Sequence, residues 1–298
     1  MTWTAIALVL FSAVLHAGWN LLGKRQSPSL AFFLLAMLAA GIAGLPLLLL
    51  QTDWLRLPPL FWWLLLASGL FQALYMAGLA WAYARGHVSM LYPLARALPV
   101  LLVPLFSLLW LGGVEVSPLG LTGMLVVFLS ALLMPLHYLR QWHWSVYLTP
   151  ALGFIVLAAL GTTGYTLVDK AAIDTMGAAG YGALQAGLHY MLLQAWAAAL
   201  WMLPAALGLP AERRALKALR HGPWWPFVSA GLMIVGTYGL VLTAMSFTHE
   251  VSYLMALRQA SIPIGMLAGI WLLREPLYRV RLLGLALMLT GLGLVMLF

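Results

Sequence analysis

Cysteine is absent and charge is scarce: Asp, Glu, Lys and Arg together make up 7% of the 298 residues. The first absence excludes disulfides and thiolate metal sites. The second leaves too little polar surface for a soluble globule, in which about a quarter of residues are charged. No HExxH, GxSxG, P-loop or paired-carboxylate motif occurs, so neither intramembrane hydrolysis nor nucleotide use is indicated, and the chain is not read as an enzyme. No Lys or Arg precedes Lys24 and no small-residue cleavage site stands out, so the N-terminal segment reads as a retained span, not a signal peptide.

What is present is apolar. Hydrophobic residues make up 64% of the chain, the mean hydropathy is +0.99, and runs of about twenty apolar residues, enough to cross a bilayer core, recur throughout. The expected fold is an all-α polytopic membrane protein with ten transmembrane helices. The spans are expected at 3–23, 29–50, 60–84, 88–111, 118–138, 147–169, 179–207, 224–246, 251–273 and 279–298, with Pro and Gly at their edges. A net charge of +8 would suggest nucleic acid in a soluble protein. Here the basic residues lie in short loops between apolar runs, where they orient spans. The bilayer is the expected partner, not nucleic acid.

The two halves repeat. "GWNLLGK" (Gly18 to Lys24) matches "GYTLVDK" (Gly164 to Lys170) at an offset of 146. Ser68-Gly69-Leu70 meets Ala230-Gly231-Leu232, His87 meets His249 and Arg96 meets Arg258, all at 162. "WLGGVE", ending at Glu115, resembles "WLLRE", ending at Glu275, and the basic insert at 211–222 absorbs most of the change of offset. Because five is odd, a second five-span copy enters the membrane from the opposite face, giving two inverted five-helix repeats over 1–140 and 145–298. Apart from Arg96 and Arg258, eleven of thirteen Lys and Arg fall in loops after odd-numbered spans, leaving Arg56 and Lys170 opposite. The positive-inside rule then places both termini outside.

The segments "LHAGWNLLGK", "YPLARALPVLLVPLFSLLWLGGVE" and "ALRQASIPIGMLAGIWLLREPL" resemble the EamA-like ten-span members of the drug/metabolite transporter superfamily. The resemblance covers essentially the whole chain. It implies a multi-pass protein of a bacterial inner membrane, a central cavity lined largely by spans 3, 4, 8 and 9, and export of a small amino acid, amine or related metabolite. It also implies cytoplasmic termini, against the charge count. Small multidrug relatives carry a carboxylate deep in the first span, where this chain offers His16.

Ionisable groups at membrane depth are functional candidates by default. Arg96 and Arg258, near mid-helix in spans 4 and 9, either grip a substrate carboxylate or hold a broken helix through carbonyls and polar neighbours. Tyr181, Gln185 and His189 share one face of span 7. His189 is thus a candidate substrate contact or proton carrier, against an ordinary interhelical hydrogen bond. Gln72 and Tyr75 in span 3 and Thr237 and Tyr238 in span 8 are further candidates to line the cavity. Tyr83 and Tyr92 sit where an aromatic belt is as good an account.

Ser12, His16, Asn20 and Lys24 form a polar stripe along span 1, with Thr162, Thr166 and Lys170 as its counterpart. His16 is the member to test for proton coupling, the rest being read as scaffold. Glu115 and Glu275 read as helix-end contacts, and Asp169, next to Lys170 at the expected end of span 6, as a neutralising neighbour. No cofactor or metal is expected. The function expected is secondary transport of a small carboxylate-bearing metabolite, driven by protons or by its own gradient, as a monomer or homodimer. A lipid-linked intermediate translocator is the alternative.

Overall fold

The computed structural model describes residues 2–23, 29–85, 88–111, 116–134, 136, 138–141, 148–273 and 278–297, the side chains of 18–23, 88–92, 110–111, 141, 268–269 and 272–273 excepted. The described residues are helical, without strands. In chain order they form α1 (Trp3–Gly23), α2 (Leu30–Leu50), α3 (Pro59–Tyr83), α4 (Val88–Leu111), α5 (Pro118–Leu133) and α6 (Leu152–Ala178). Then follow α7 (Ala183–Gly208), α8 (Pro210–His221), α9 (Trp225–Met245), α10 (Val251–Leu257), α11 (Ser261–Leu273) and α12 (Arg279–Met296). Six of them, α2, α3, α6, α7, α9 and α12, are long and apolar enough to cross a membrane. Large apolar side chains such as Phe11, Ile42, Trp63, Leu125, Leu200 and Leu289 face outward on six different helices. Water would not tolerate so apolar a surface, and lipid does. The protein is membrane-embedded.

Local chemistry accounts for the helix ends. Pro59 and Pro118 occupy first turns, where a missing N–H is harmless, and Ser29 and Ser117 cap α2 and α5 by accepting from Phe32 and Gly120 N–H. Between α10 and α11 the helix tightens into a 3₁₀ turn at Arg258–Ala260. Pro263, which cannot donate to the carbonyl of Gln259, explains the break.

Two expectations are corrected. The sixth apolar segment does not stop at 169: α6 continues to Ala178, because Lys170 pairs along the helix with Asp174, one turn on. Lys170 is therefore a helix residue, and Asp169 lies well inside its helix. The basic stretch 211–222 is not a plain loop but the amphipathic α8. Arg213, Arg214, Lys217 and Arg220 on it are exposed, while the buried Glu212 accepts from Ala31 N–H and Trp81 Nε1, each at 3.0 Å.

The packing comes in matched sets. α1 lies on α9 as α6 lies on α3; α2 touches α9 as α7 touches α3; α1 meets α11 as α6 meets α4. α2 with α7, and α5 with α12, complete the bundle. Glycines permit the closest of these approaches. A Cβ on Gly69 would sit 2.7 Å from the Ala197 carbonyl carbon, and one on Gly231 would sit 2.1 Å from the Ala36 oxygen. The aligned glycines of the sequence repeat thus face the backbones of α7 and α2.

Candidate functional site: a broken helix and two unequal arginines

The turn between α10 and α11 places Arg258 and Gln259 at a small chamber completed by Tyr75 of α3, Ala95 and Arg96 of α4, Thr162 and Tyr165 of α6, and Met255 of α10. Its volume is about 20 Å³, room for a single water. The resemblance implied α9 as a main wall. Instead α6 lines the chamber, and α9 contributes indirectly through Tyr238.

Arg96 is held on every side. Its Nε donates to Gln259 Oε1 at 3.2 Å, and Nη2 donates to the Arg258 carbonyl at 2.8 Å and to Ser261 Oγ at 3.0 Å. Nη1 lies 2.7 Å from His16 Nε2. A guanidinium can only donate, so that ring nitrogen accepts. Gln259 is itself fixed, its Nε2 donating to the Met255 carbonyl at 3.1 Å. Arg96 therefore ties α1 and α4 to carbonyl and side-chain acceptors around the broken turn.

Arg258 is held differently. Its guanidinium carbon lies 5.0 Å from the centre of the Tyr238 ring, a cation–π contact. The ring stacks edge-on with Tyr165 at 5.3 Å, which stacks in turn with Tyr75 at 5.8 Å. Arg258 Nη1 is buried and has no hydrogen-bond partner among the described residues. Thr162 Oγ1, on the chamber wall, is likewise buried without a partner. Since buried polar groups are rarely left unpaired, a guanidinium and a hydroxyl facing one chamber are suited to an anionic, hydrogen-bonding guest.

Beneath Tyr238 lies the Asp169 carboxylate, in sequence a mere neighbour of Lys170. Asp169 has no exposed surface. Ser68 Oγ donates to its Oδ1, Tyr190 Oη donates to Oδ1 at 2.8 Å, Tyr238 Oη donates to Oδ2 at 2.5 Å, and Gln194 Nε2 reaches Oδ2 at 3.0 Å. These partners come from α3, α7 and α9. Asp169 is a buried hydrogen-bond hub, not a counter-charge for Lys170. The signal in the sequence was Tyr190 and Gln194, four apart on α7 next to the face carrying Gln185 and His189.

The remaining candidates scatter. His189 is buried near the start of α7, its Nδ1 2.8 Å from the Gln185 carbonyl and its ring stacked with Tyr181, and neither Gln185 nor His189 lines the chamber. Gln72 is buried on α3 outside the chamber wall, its Oε1 without a partner among the described residues. Thr237 lends its carbonyl to Ser12 Oγ at 2.8 Å, so Ser12 serves packing. Tyr83 is half-buried and His249 exposed. Glu115, Glu275, His87 and Lys24 lie outside the described residues, as do the side chains of Asn20 and Tyr92.

Comparison with known proteins adds the fold alone. No family model matches the sequence, and no curated protein matches it. Among solved structures, one crystal structure of a protein superposes over 99% of this chain and 99% of its own with a TM-score of 0.69 at 16% identity. The whole bundle is therefore similar to a fold already seen in a crystal.

Proposed function

We propose that the chain is a secondary transporter that moves a small carboxylate-bearing metabolite, amino-acid-like or amino-acid-derived, outward by alternating access. The observation that carries this is Arg258 Nη1, buried at the chamber with no partner among the described residues. A guanidinium so placed has a free donor for a carboxylate oxygen. The broken helix beside it is the kind of element from which transporters build central sites. On this reading α10 and α11 together form one span, and with α1–α7, α9 and α12 they make ten. The matched packing, α1 on α9 as α6 on α3, supports two inverted five-helix repeats of the drug/metabolite transporter type. The chamber must widen to admit a metabolite, as alternating access requires.

The test is counterflow of labelled amino acids in proteoliposomes. Wild-type protein exchanges at least one of them, and Arg258→Ala cuts that exchange about 100-fold while folding intact. Equal exchange by both proteins would remove the carboxylate clamp.

One observation favours a lipid-linked cargo as a second reading. An apolar groove of about 490 Å³, lined by residues such as Leu34, Trp62, Leu193 and Trp196, runs between α2, α3 and α7. It would suit an acyl or prenyl tail. Flipping of a fluorescent polyprenyl phosphate separates this reading from the first.

A further inference from the structure

Asp169 is a buried ionisable group that cargo binding leaves unused. All its partners are neutral: Ser68 from α3, Tyr190 and Gln194 from α7 and Tyr238 from α9. The titratable groups facing it are the two tyrosines, and it has no salt bridge among the described residues. Arg258 reaches it only through the Tyr238 ring. A lone carboxylate at membrane depth is costly to keep, which marks it as functional by default.

Gln194 shows what that function is. Its amide nitrogen donates to Ser68 Oγ at 2.5 Å and to both Asp169 oxygens, at 3.2 and 3.0 Å. Its Oε1 is buried with no partner among the described residues. One end of the amide is thus overcommitted and the other idle. A half-turn about the last side-chain bond brings Oε1 to Asp169, where it can accept only if the carboxyl carries a proton. The same side chain therefore completes the shell in either state, with N–H donating to the carboxylate or C=O accepting from the carboxyl O–H.

The two histidines that the sequence offered lack this property. His16 Nε2 is taken by a group that can only donate; His189 Nδ1 faces the carbonyl of its own helix, and its buried Nε2 has no partner among the described residues to receive an added N–H.

We propose that Asp169 binds and releases the proton that couples transport, with Gln194 as its two-way partner and Tyr238 as the link to Arg258. When Oδ2 takes the proton, the Tyr238 hydroxyl loses its anionic acceptor and the ring on which Arg258 rests is freed to shift. Protonation of Asp169 and the grip of Arg258 on cargo thus become linked equilibria. The coupling rests on the transport reading; proton binding by Asp169 does not.

The test is infrared pH titration of the full chain in lipid nanodiscs, on wild type, Asp169→Asn and Gln194→Leu. Expected is a carboxyl C=O band that grows as pH falls, is missing from Asp169→Asn, and moves to higher frequency in Gln194→Leu, where its hydrogen-bond partner is gone. Should Asp169→Asn fail to fold, the displaced band in Gln194→Leu carries the test. No Asp169-dependent band over the pH range of the folded protein overturns the proposal, as does a band unmoved by Gln194→Leu. Loss of the band on adding sodium at constant pH also overturns it, by identifying a metal-cation site. In proteoliposomes, Asp169→Asn is expected to exchange labelled amino acid without answering to a pH gradient, and a retained response overturns the coupling. A titrating band with no amino-acid movement by the wild type would instead sink the transport reading and leave Asp169 a proton site.

Discussion

Arg96 and Arg258 stand 162 residues apart at matching places in the repeat, yet the fold treats them oppositely. Every arm of Arg96 is engaged by the protein itself, by His16, Gln259, Ser261 and the Arg258 carbonyl. Arg258 rests on an aromatic face and keeps a donor with no partner among the described residues. A duplicated position thus does not imply a duplicated job: what decides is whether the surroundings have already used the donors.

Five substitutions probe that contrast, the largest effect first. Arg96→Ala strips a donor from several acceptors at the broken turn, and should lower stability by at least about 3 kcal/mol, read by thermal unfolding of the purified protein. A stable Arg96→Ala protein that has lost transport would break the contrast, because Arg96 would then be a cargo ligand. Arg258→Ala should do the reverse, changing stability by less than about 1 kcal/mol while cutting exchange about 100-fold, or roughly 2.7 kcal/mol. Gly69→Ala and Gly231→Ala test a pair whose roles do match. Each forces a methyl against a neighbouring backbone and should destabilise by about 1–3 kcal/mol, the two agreeing within about 1 kcal/mol. His16→Ala removes one of Arg96's acceptors and should cost about 1 kcal/mol, with the pH profile of transport unaltered. A displaced profile would return His16 to the proton path.

The helices were largely legible because one signal serves twice: the Pro, Gly and polar residues that end an apolar run also end a helix. Helix α4 runs over 88–111, as expected, and α9 covers 225–245 of an expected 224–246. The failure at α6 is instructive. Asp169 and Lys170 together read as a polar end, but adjacent helical residues point about 100° apart. One turns inward to Ser68 and Tyr238 while the other reaches along the surface to Asp174. Adjacent charges therefore look like a boundary when hydropathy is averaged and like two opposite faces when helical period is kept.

The unequal arginines were less legible, since their own positions are alike. The trace lay beside them: Gln259 and Ser261 stand where the first repeat has Ala97 and Pro99. Both of those polar neighbours serve Arg96 from across the bundle. Only tertiary packing shows which arginine receives them.

Charge around the chamber does not balance. Two guanidinium groups, Arg96 and Arg258, line it, and the carboxylate behind Tyr238, Asp169, when ionised leaves a single positive charge there. A monovalent anion seated on Arg258 would cancel it. On the transport reading, membrane voltage, worth about 2.3 kcal/mol per elementary charge across 100 mV, would then act on the empty carrier as it reorients, the more so with a proton on Asp169, and leave the loaded, unprotonated one almost untouched. The return step, not the delivery step, would be the one the cell's membrane potential drives.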